Sequence, residues 1–478
     1  MMDTAPPPLY IPFDNSYASL PDQFYSRQSA STVSKPELIA FNRPLADLLG
    51  ITGGQNSELA EIFGGNKTTD GAEPLSQLYA GHQFGQYNPQ LGDGRAILLG
   101  ETIGRDGQRR DIQLKGSGRT PYSRGGDGRA WLGPVLREYV VSEAMHALGI
   151  PTTRALAAVL TGEQVIRESV LPGAVLTRVA QSHIRVGTFQ VFSARKEFDA
   201  LRQLLDYTIA RHFPETDGPL GFLKRVIESQ ARLIPQWMGV GFIHGVMNTD
   251  NCQIAGETID YGPCAFMDSY HPMQVFSSID QFGRYAFGNQ PDIIVWNMAQ
   301  LATALVPLMP DAQDAIELFT KAVHDMVPLL KKNWIRVFSA KIGISDPRAE
   351  DEILINDLLN LMAEGRADFT NTFTALGTAK ARDEFLVPDK FDLWEVRWME
   401  RITGLDNVEE TLSKSNPILI PRNHRIEQMI QAAVSGDYTL FQRLSEAYSA
   451  PFTKNHSFDD LRHPPNDAEI VRATFCGT

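Results

Sequence analysis

The sequence predicts an α+β protein in which a small β-rich lobe is followed by a larger helical one. Two patterns predict it. Between Gln90 and Arg185 short apolar alternations are punctuated by glycine, the mark of strands and tight turns. Beyond about residue 197 the apolar residues recur at helical spacing instead, as in Leu223, Ile227, Ala231, Ile234 and Trp237, and again in Ile294, Met298, Leu301, Ala302 and Leu305. With 478 residues the chain has room for about three average domains or one large enzyme with insertions.

Residues 1 to about 75 mix Pro, Asn, Ser and short apolar clusters, which reads as an extended arm on a core. Gln90-Leu-Gly-Asp-Gly-Arg-Ala-Ile-Leu-Leu-Gly-Glu101 reads as strand, tight turn, strand, and Asp111-Ile-Gln-Leu-Lys115 as a third strand. A helix follows. Pro134 suits its first turn, Leu136, Val140, Ala144 and Leu148 form its apolar stripe, and Gly149 stops it. Further strands are expected at about 154–160, 164–168 and 174–179. Residues 311–447 read as several helices, with loops near Pro347, Pro388 and Pro417–Pro421.

Composition narrows the function. Acidic residues outnumber basic ones, 57 to 44, for a net charge of −13. That disfavours a nucleic-acid coat, which needs clustered positive charge. No apolar run approaches the roughly 18 residues of a membrane span, so no membrane partner is expected. Three cysteines, Cys252, Cys264 and Cys476, are too few for a disulfide scaffold and form no zinc ladder. The N-terminal residues have neither a basic start nor an apolar core, so the expected location is cytoplasmic.

Three features carry chemistry. The turn Gly92-Asp-Gly-Arg95 can offer backbone N–H groups to phosphate oxygens, although by itself such a turn is more often only a hairpin tip. Lys115 ends a strand, and a helix-borne carboxylate, Glu138 or Glu143, can hold it toward a phosphate. The stretch His244-Gly-Val-Met-Asn-Thr-Asp-Asn251 is followed nine residues later by Asp260-Tyr-Gly262. Asn251 and Asp260 are hard oxygen ligands of the kind Mg²⁺ accepts beside phosphate, and Asp250 is left to act as a base.

Glycine turn, strand lysine, helix glutamate, His loop ending in Asn, then Asp-Tyr-Gly is the order of parts in protein kinases. Asn251 lies seven residues after His244, as in the kinase catalytic loop, but the kinase's catalytic Asp position holds Val246. The metal-binding half of such a site is thus present without its usual base.

These segments, with Tyr79-Ala-Gly-His-Gln-Phe-Gly85, Lys115-Gly-Ser-Gly-Arg-Thr-Pro-Tyr-Ser-Arg124, Gly126-Asp-Gly-Arg129 and Phe282-Gly-Arg-Tyr-Ala-Phe-Gly-Asn-Gln-Pro291, resemble the selenoprotein O family, pseudokinases that act as protein adenylyltransferases. The resemblance implies a protein-kinase-like two-lobed fold with an N-terminal extension (1–80), an N-lobe (81–180), a C-lobe carrying the active-site loop (181–320) and a helical C-terminal extension (321–478). It implies ATP bound inverted relative to a kinase, and AMP moved to Ser, Thr or Tyr hydroxyls of proteins, the enzyme itself included. Gly92, Gly94, Arg95, Asp127 and Gly128 match its nucleotide contacts. Lys115, Arg178 and Arg185 match its phosphate-binding positions, with Glu138 holding Lys115. Asn251 and Asp260 match ligands of Mg²⁺ or Mn²⁺, Asp260 also facing the nucleotide, and Asp250 matches the proton acceptor. UMP transfer from UTP is a close variant; a γ-phosphoryl kinase and a silent nucleotide-binding scaffold are the alternatives. The family's C-terminal selenocysteine or cysteine has one counterpart here, Cys476, a candidate for a redox bridge to Cys252 or Cys264. His82 reads as structural.

Overall fold

A computed structural model describes residues 7–475 of the chain, so Cys476 lies outside the described residues. Its strands are β1 Tyr25–Arg27, β2 Glu37–Phe41, β3 Leu75–Gln77, β4 Gly81–Gln83, β5 Gln86–Asn88, β6 Ala96–Ile103, β7 Arg109–Lys115, β8 Ala130–Trp131, β9 Arg154–Ile166, β10 Val170–Ala180, β11 Phe242–Ile243 and β12 Ala265–Phe266. Eight of them form one antiparallel sheet in the order β1-β3-β6-β7-β10-β9-β2, with β8 added on β10. β4 and β5 form a separate hairpin, and β11 pairs with β12. After β10 the chain is helical except for short pieces, so the α+β reading stands.

The sheet holds its register through apolar side chains on both faces. Ile97, Ile112, Leu114, Val159, Val175 and Val179 join a cluster with Leu59 and Phe63 on one face. On the other, Leu98, Ala155, Ala158 and Leu176 meet Leu136, Val140 and Ala144 of the helix Leu132–Ala147. That helix begins and ends where Pro134 and Gly149 place it: Gly149 takes the left-handed conformation (φ 77°) just past the cap Leu148. The helices Gly218–Gly239, Gln290–Leu305 and Ala312–Lys341 pack together behind the His244 loop, and the longer apolar spacing of the sequence is realised in them.

Three local expectations need correction. The N-terminal 75 residues are not an extended arm alone: they hold the helices Arg43–Leu48 and Asn56–Phe63 and supply both edges of the sheet, β1 and β2. Residues 28–36, between those edges, cross one face of the sheet. Ser31 N donates to Ser117 O at 2.9 Å and Lys35 N to Thr161 O at 2.9 Å. Secondly, Gln90–Asp93 is a loop rather than a strand, because the Leu91 and Gly92 N–H groups both turn to the Tyr79 carbonyl, at 2.9 and 3.0 Å. Thirdly, the segments expected at 154–160 and 164–168 are one strand, β9, since Gly162 and Glu163 stay in the β9–β10 hairpin at a bulge. The loop expected near Pro388 is present at residues 385–387, and Pro388 itself opens the helix Pro388–Ile402, a position where its missing N–H costs nothing.

Candidate active site

β7 ends at Lys115, beside the C-terminal half of β10. This pairing brings the Lys115 ammonium to the helix Leu132–Ala147 on the same face. Lys115 Nζ donates to Glu138 Oε2 at 2.6 Å and also to Asp260 Oδ1. Of the two candidate glutamates, then, Glu138 is the partner; Glu143 instead accepts from Arg154, at 2.8 and 2.7 Å, and from Asn42. Five residues along a helix is about 140° of rotation, so only one of the pair can face the lysine.

Arg178, on β10, completes the cluster. Its guanidinium donates to Asp260 Oδ1 at 2.9 Å, to Glu138 Oε1 at 3.3 Å and to Gln113 Oε1 at 2.7 Å. Arg185 lies further along, fully buried, with its guanidinium 4.1 Å from the Tyr79 ring centroid and 3.5 Å from Asp93 Oδ1. Asp93 is the middle residue of the glycine turn. Its other oxygen accepts from Gln77 N and Gln113 Nε2, at 3.1 and 3.0 Å. The turn is thereby pinned to the sheet by its own carboxylate.

Gly92 and Gly128 are in the left-handed region (φ 69° and 68°). A Cβ at Gly92 would sit 2.4 Å from the Tyr122 ring, and one at Gly128 2.1 Å from the Gly118 carbonyl. Gly94 has no room either, with the Tyr122 carbonyl 2.8 Å from its Cβ position. The Gly92–Arg95 turn and the 116–129 loop are therefore packed backbone to backbone, which lets main-chain N–H groups approach a ligand closely. Asp127 is tied bidentately to Arg167, at 2.9 and 3.0 Å, and accepts from Arg129 N. The hydrogen bonds from Arg167 lower the Asp127 pKa from its ordinary value, against a smaller opposing push from burial.

The His244 loop meets this floor from the helical side. His244 is buried, stacks on Trp237 with centroids 5.3 Å apart, and reaches the Ile259 carbonyl at 2.8 Å. Burial lowers its pKa, so it is a neutral strut under Asp260. Asp260 has φ 66°, a strained value for a residue with a side chain. The strain turns its carboxylate toward Lys115 and Arg178. Burial acts to raise its pKa, but Lys115, Arg178 and Arg185 overcome that and hold it well below the usual range. Asp260 is ionised at any physiological pH.

Asp250 behaves in the opposite way. It is buried, and burial pushes its pKa up from 3.8 to about 6, opposed by a hydrogen bond from Gln83. Gln83 Nε2 donates to Oδ2 at 3.0 Å, while buried Oδ1 has no hydrogen-bond partner among the described residues. Gln83 belongs to the β4–β5 hairpin, which clamps the loop: His82 N donates to Thr249 Oγ1 at 2.7 Å and Phe84 N to Asn248 Oδ1 at 3.2 Å. Asn251 follows, its amide donating to Val246 O at 3.0 Å. Val246 itself is buried and apolar.

A cavity of about 450 Å³ runs between the two halves of this arrangement. Gly92, Gly94, Arg95, Asp127 and Gly128 line it from the sheet side, and Asp250, Asn251 and Asp260 from the other. The structure thus brings eight of the expected residues together around one cavity. Lys115 reaches a small adjoining cleft that it shares with Arg95 and Glu138. Arg178 and Arg185 sit behind Asp260 and Asp93. Among the described residues no group of three or more His, Cys, Asp or Glu is arranged to hold a metal. The donors available to a hard cation are the oxygens of Asp260 and Asn251, which border the same cavity, and they suit Mg²⁺ or Mn²⁺ only when substrate oxygens complete the shell.

Sequence reasoning missed Gln83, Tyr79 and Arg167, and it read Asp93 only as a turn residue. Gln83 and Tyr79 lie in a segment recognisable as distinctive, but their partners are about 100–170 residues away, and nothing in their spacing reveals that. Cys252 and Cys264 are both buried. The chain is closed under the site by Thr474, whose N–H donates to Phe276 O at 2.7 Å and whose carbonyl accepts from Ser278 N at 2.9 Å.

Comparison with known proteins places these residues in context. Residues 7–449 match the family model described as protein adenylyltransferase SelO. The chain is 64% identical over 470 residues to a protein nucleotidyltransferase YdiU of a Ruegeria species, covering 98% of this chain and 100% of that one. It is equally 64% identical, over 468 residues, to the protein of that name in Ruegeria pomeroyi, with 98% and 99% covered. With the one in Bradyrhizobium diazoefficiens it shares 53% identity over 493 residues, covering 98% and 100%.

Proposed function

The chain belongs to the SelO family of protein adenylyltransferases, and from that premise we propose that it transfers AMP from ATP to Ser, Thr or Tyr hydroxyls of proteins, itself included. One observation carries the reading. A buried carboxylate with an unused oxygen, Asp250, borders the same cavity as Asp260, behind which Lys115 and Arg178 are gathered with Arg185 nearby on Asp93, while the position of a kinase's base holds an apolar Val246. The base and the cations thus serve different ends of the substrate.

In this reading ATP lies with its β- and γ-phosphates toward Lys115, Arg178 and Arg185, inverted relative to a kinase. Gly92, Gly94, Arg95, Asp127 and Gly128 embrace the rest of the nucleotide. Asp250 Oδ1 takes the proton of the acceptor hydroxyl. The hydroxyl oxygen forms its bond to the α-phosphorus as the bond from that phosphorus to the bridging oxygen of the β-phosphate breaks. Pyrophosphate leaves with its growing charge against fixed cations, the two arginines among them buried, and such preorganised charge is what most lowers a barrier of this kind. Asn251 and Asp260 would hold Mg²⁺ or Mn²⁺, whose charge neutralises the phosphates when bound. Glu138 and Asp260 hold the Lys115 ammonium beside the cavity, where it would meet the phosphates. Residues 81–180 and 181–320 would be the two kinase-like lobes, flanked by extensions 1–80 and 321–478, in a cytoplasmic enzyme.

The test is parallel incubation with Mg²⁺ and ATP labelled at the α- or the γ-phosphate, beside Asp260→Ala, and with UTP labelled at its α-phosphate in a third arm. Covalent label from the α-position alone, lost in the variant, is the expected result. Label from the γ-position would make the protein a kinase, and bound ATP without label would make it a scaffold. Equal or stronger label from UTP would shift the reading to UMP transfer.

A further inference from the structure

A protein acceptor must bring its hydroxyl to Asp250 through the mouth of the cavity, and the surface beside that mouth is unusual. Ile279 lines the cavity together with Asp250, Asn251 and Val246 and is 54% exposed. Three residues on, Phe282 is 97% exposed, more than any other large apolar side chain among the described residues. Single exposed apolar residues are commonplace. A fully exposed phenylalanine adjoining a catalytic cavity is not, because it forgoes burial of a large ring.

The segment that presents it is held firmly. Asp280 accepts from Arg284 N and Tyr285 N at 2.9 and 2.7 Å, closing a tight loop with Phe282 at its tip. Tyr285 OH donates to Asn248 Oδ1 at 2.6 Å, in the loop that carries Asp250. The Arg284 guanidinium sits over the Trp296 ring, 4.9 Å from its centroid. At the other end Ser278 is bonded to Thr474. Phe282 is thus pre-set relative to the base rather than hanging on a free strand, and a preorganised aromatic is the sort of residue that carries binding energy in an interface. Its own fold has no use for it: no ring partner or core cluster includes Phe282.

We propose that Ile279 and Phe282 form an acceptor-docking platform, on which the protein substrate lays a large apolar side chain that lies within a few residues of the hydroxyl to be modified. The inference rests on the transfer reading above and deepens it, since it specifies the chemistry of the acceptor. The occupant is a segment of a protein because the platform starts in the cavity wall at Ile279 and ends outside the cavity at Phe282, where only an acceptor larger than a single amino acid reaches both Asp250 and Phe282.

The probe is a set of serine peptides of about ten residues. In each, one flanking position is Leu or Phe, or else Gly, Asp or Lys, with all other positions held constant. They are labelled with α-labelled ATP and Mg²⁺ by the full chain and by Phe282→Asp, Phe282→Leu and Ile279→Ser. The wild type should prefer peptides with an apolar residue at one or two specific flanking positions, by about tenfold or more in kcat/KM, the scale of one interface aromatic. Phe282→Asp should abolish that preference by raising KM with kcat little changed, and Phe282→Leu should restore most of it. ATP affinity and the melting temperature should stay at wild-type values in both, because the side chain touches neither core nor cavity. Equal labelling of apolar and glycine-flanked peptides, or a preference that survives Phe282→Asp, would overturn the platform and leave the transfer reading intact. A wild type that labels no peptide overturns it too. If that wild type still labels itself from the α-position the transfer reading survives, and if it does not, both fall together.

Discussion

Replacing Asp250 with Asn should make the protein more stable and useless as a catalyst. The carboxyl is buried and its pKa stands at about 6 against an ordinary 3.8. A carboxylate whose folded pKa is raised contributes relative stability at pH values below its unfolded pKa and loses it as pH rises toward the folded one. Above about pH 6 the folded state holds an ionised group that the unfolded chain solvates better. A difference of roughly 2 pH units at about 1.4 kcal/mol each amounts to about 3 kcal/mol of destabilisation near pH 8. Near pH 5, where the folded carboxyl is mostly protonated but the unfolded one is ionised, about half of that remains. Asn matches the shape without the charge, and Gln83 can turn its amide oxygen to the new Nδ2. Calorimetric melts of wild type and Asp250→Asn near pH 8 and near pH 4.5 measure the difference. The variant should melt several degrees higher near pH 8, and the gap should shrink at the lower pH. A variant less stable than wild type near pH 8, or a gap independent of pH, would refute the claim that Asp250 is held ionised against its environment. Transfer should fall by about 10²–10⁴, the usual worth of a placed general base, while ATP still binds.

Gln83→Ala removes the one hydrogen bond that lowers the Asp250 pKa through its side chain. With Asp250 as the proposed base, active only when ionised, the acid limb of the transfer rate, expected near pH 6 in wild type, should move upward by about 1 unit, as one hydrogen bond to a charged group is worth about 1.5–3 kcal/mol; a pH series under single-turnover conditions reads it. Gly81→Ala would set a Cβ 2.6 Å from Asp250 Oδ1, so transfer should drop by about a hundredfold or more while nucleotide affinity, followed by titration calorimetry, changes little. Lys115→Met leaves Glu138 and Asp260 with Arg178 alone. It should weaken ATP binding and lower stability by about 2–3 kcal/mol in denaturant titrations, less than the full loss of a buried ion pair because Arg178 remains.

How far the sequence foretells this molecule depends on the range of each interaction. The helix Leu132–Ala147 was legible to its ends because Pro134 and Gly149 act locally. The order of Gly92, Lys115, Glu138, His244 and Asp260 was legible because strand, helix and loop each carry one of them. The loop at Gln90 was not, since the Tyr79 carbonyl that captures Leu91 and Gly92 outcompetes a local hairpin. Nor was the choice between Glu138 and Glu143, which Arg154 and Asn42 decide from other elements. Asp93 looked like part of a turn because its real partners, Gln77, Gln113 and Arg185, come together only when the sheet forms. The edge strands β1 and β2 were hidden for a similar reason: Tyr25–Arg27 is too short to show alternation, and Glu37–Phe41 is mostly half-buried.

Those two edge strands are joined by residues 28–36 alone, although six strand-to-strand steps separate them. Six steps at about 4.8 Å are roughly 29 Å across a flat sheet, and ten peptide links reach only about 33–36 Å. The segment bends at Ser34–Lys35 rather than running straight, so it has only a little length to spare, and its tolerance is lopsided. An inserted residue adds slack, whereas removing two or three would force one edge strand off the sheet. Because Arg129 reaches back to the carbonyls of Ser31 and Thr32, the same tie sets how far the 116–129 loop can lift. The span of a backbone thread near the start of the chain thus bears on the width of the cavity that Gly128 and Asp127 line.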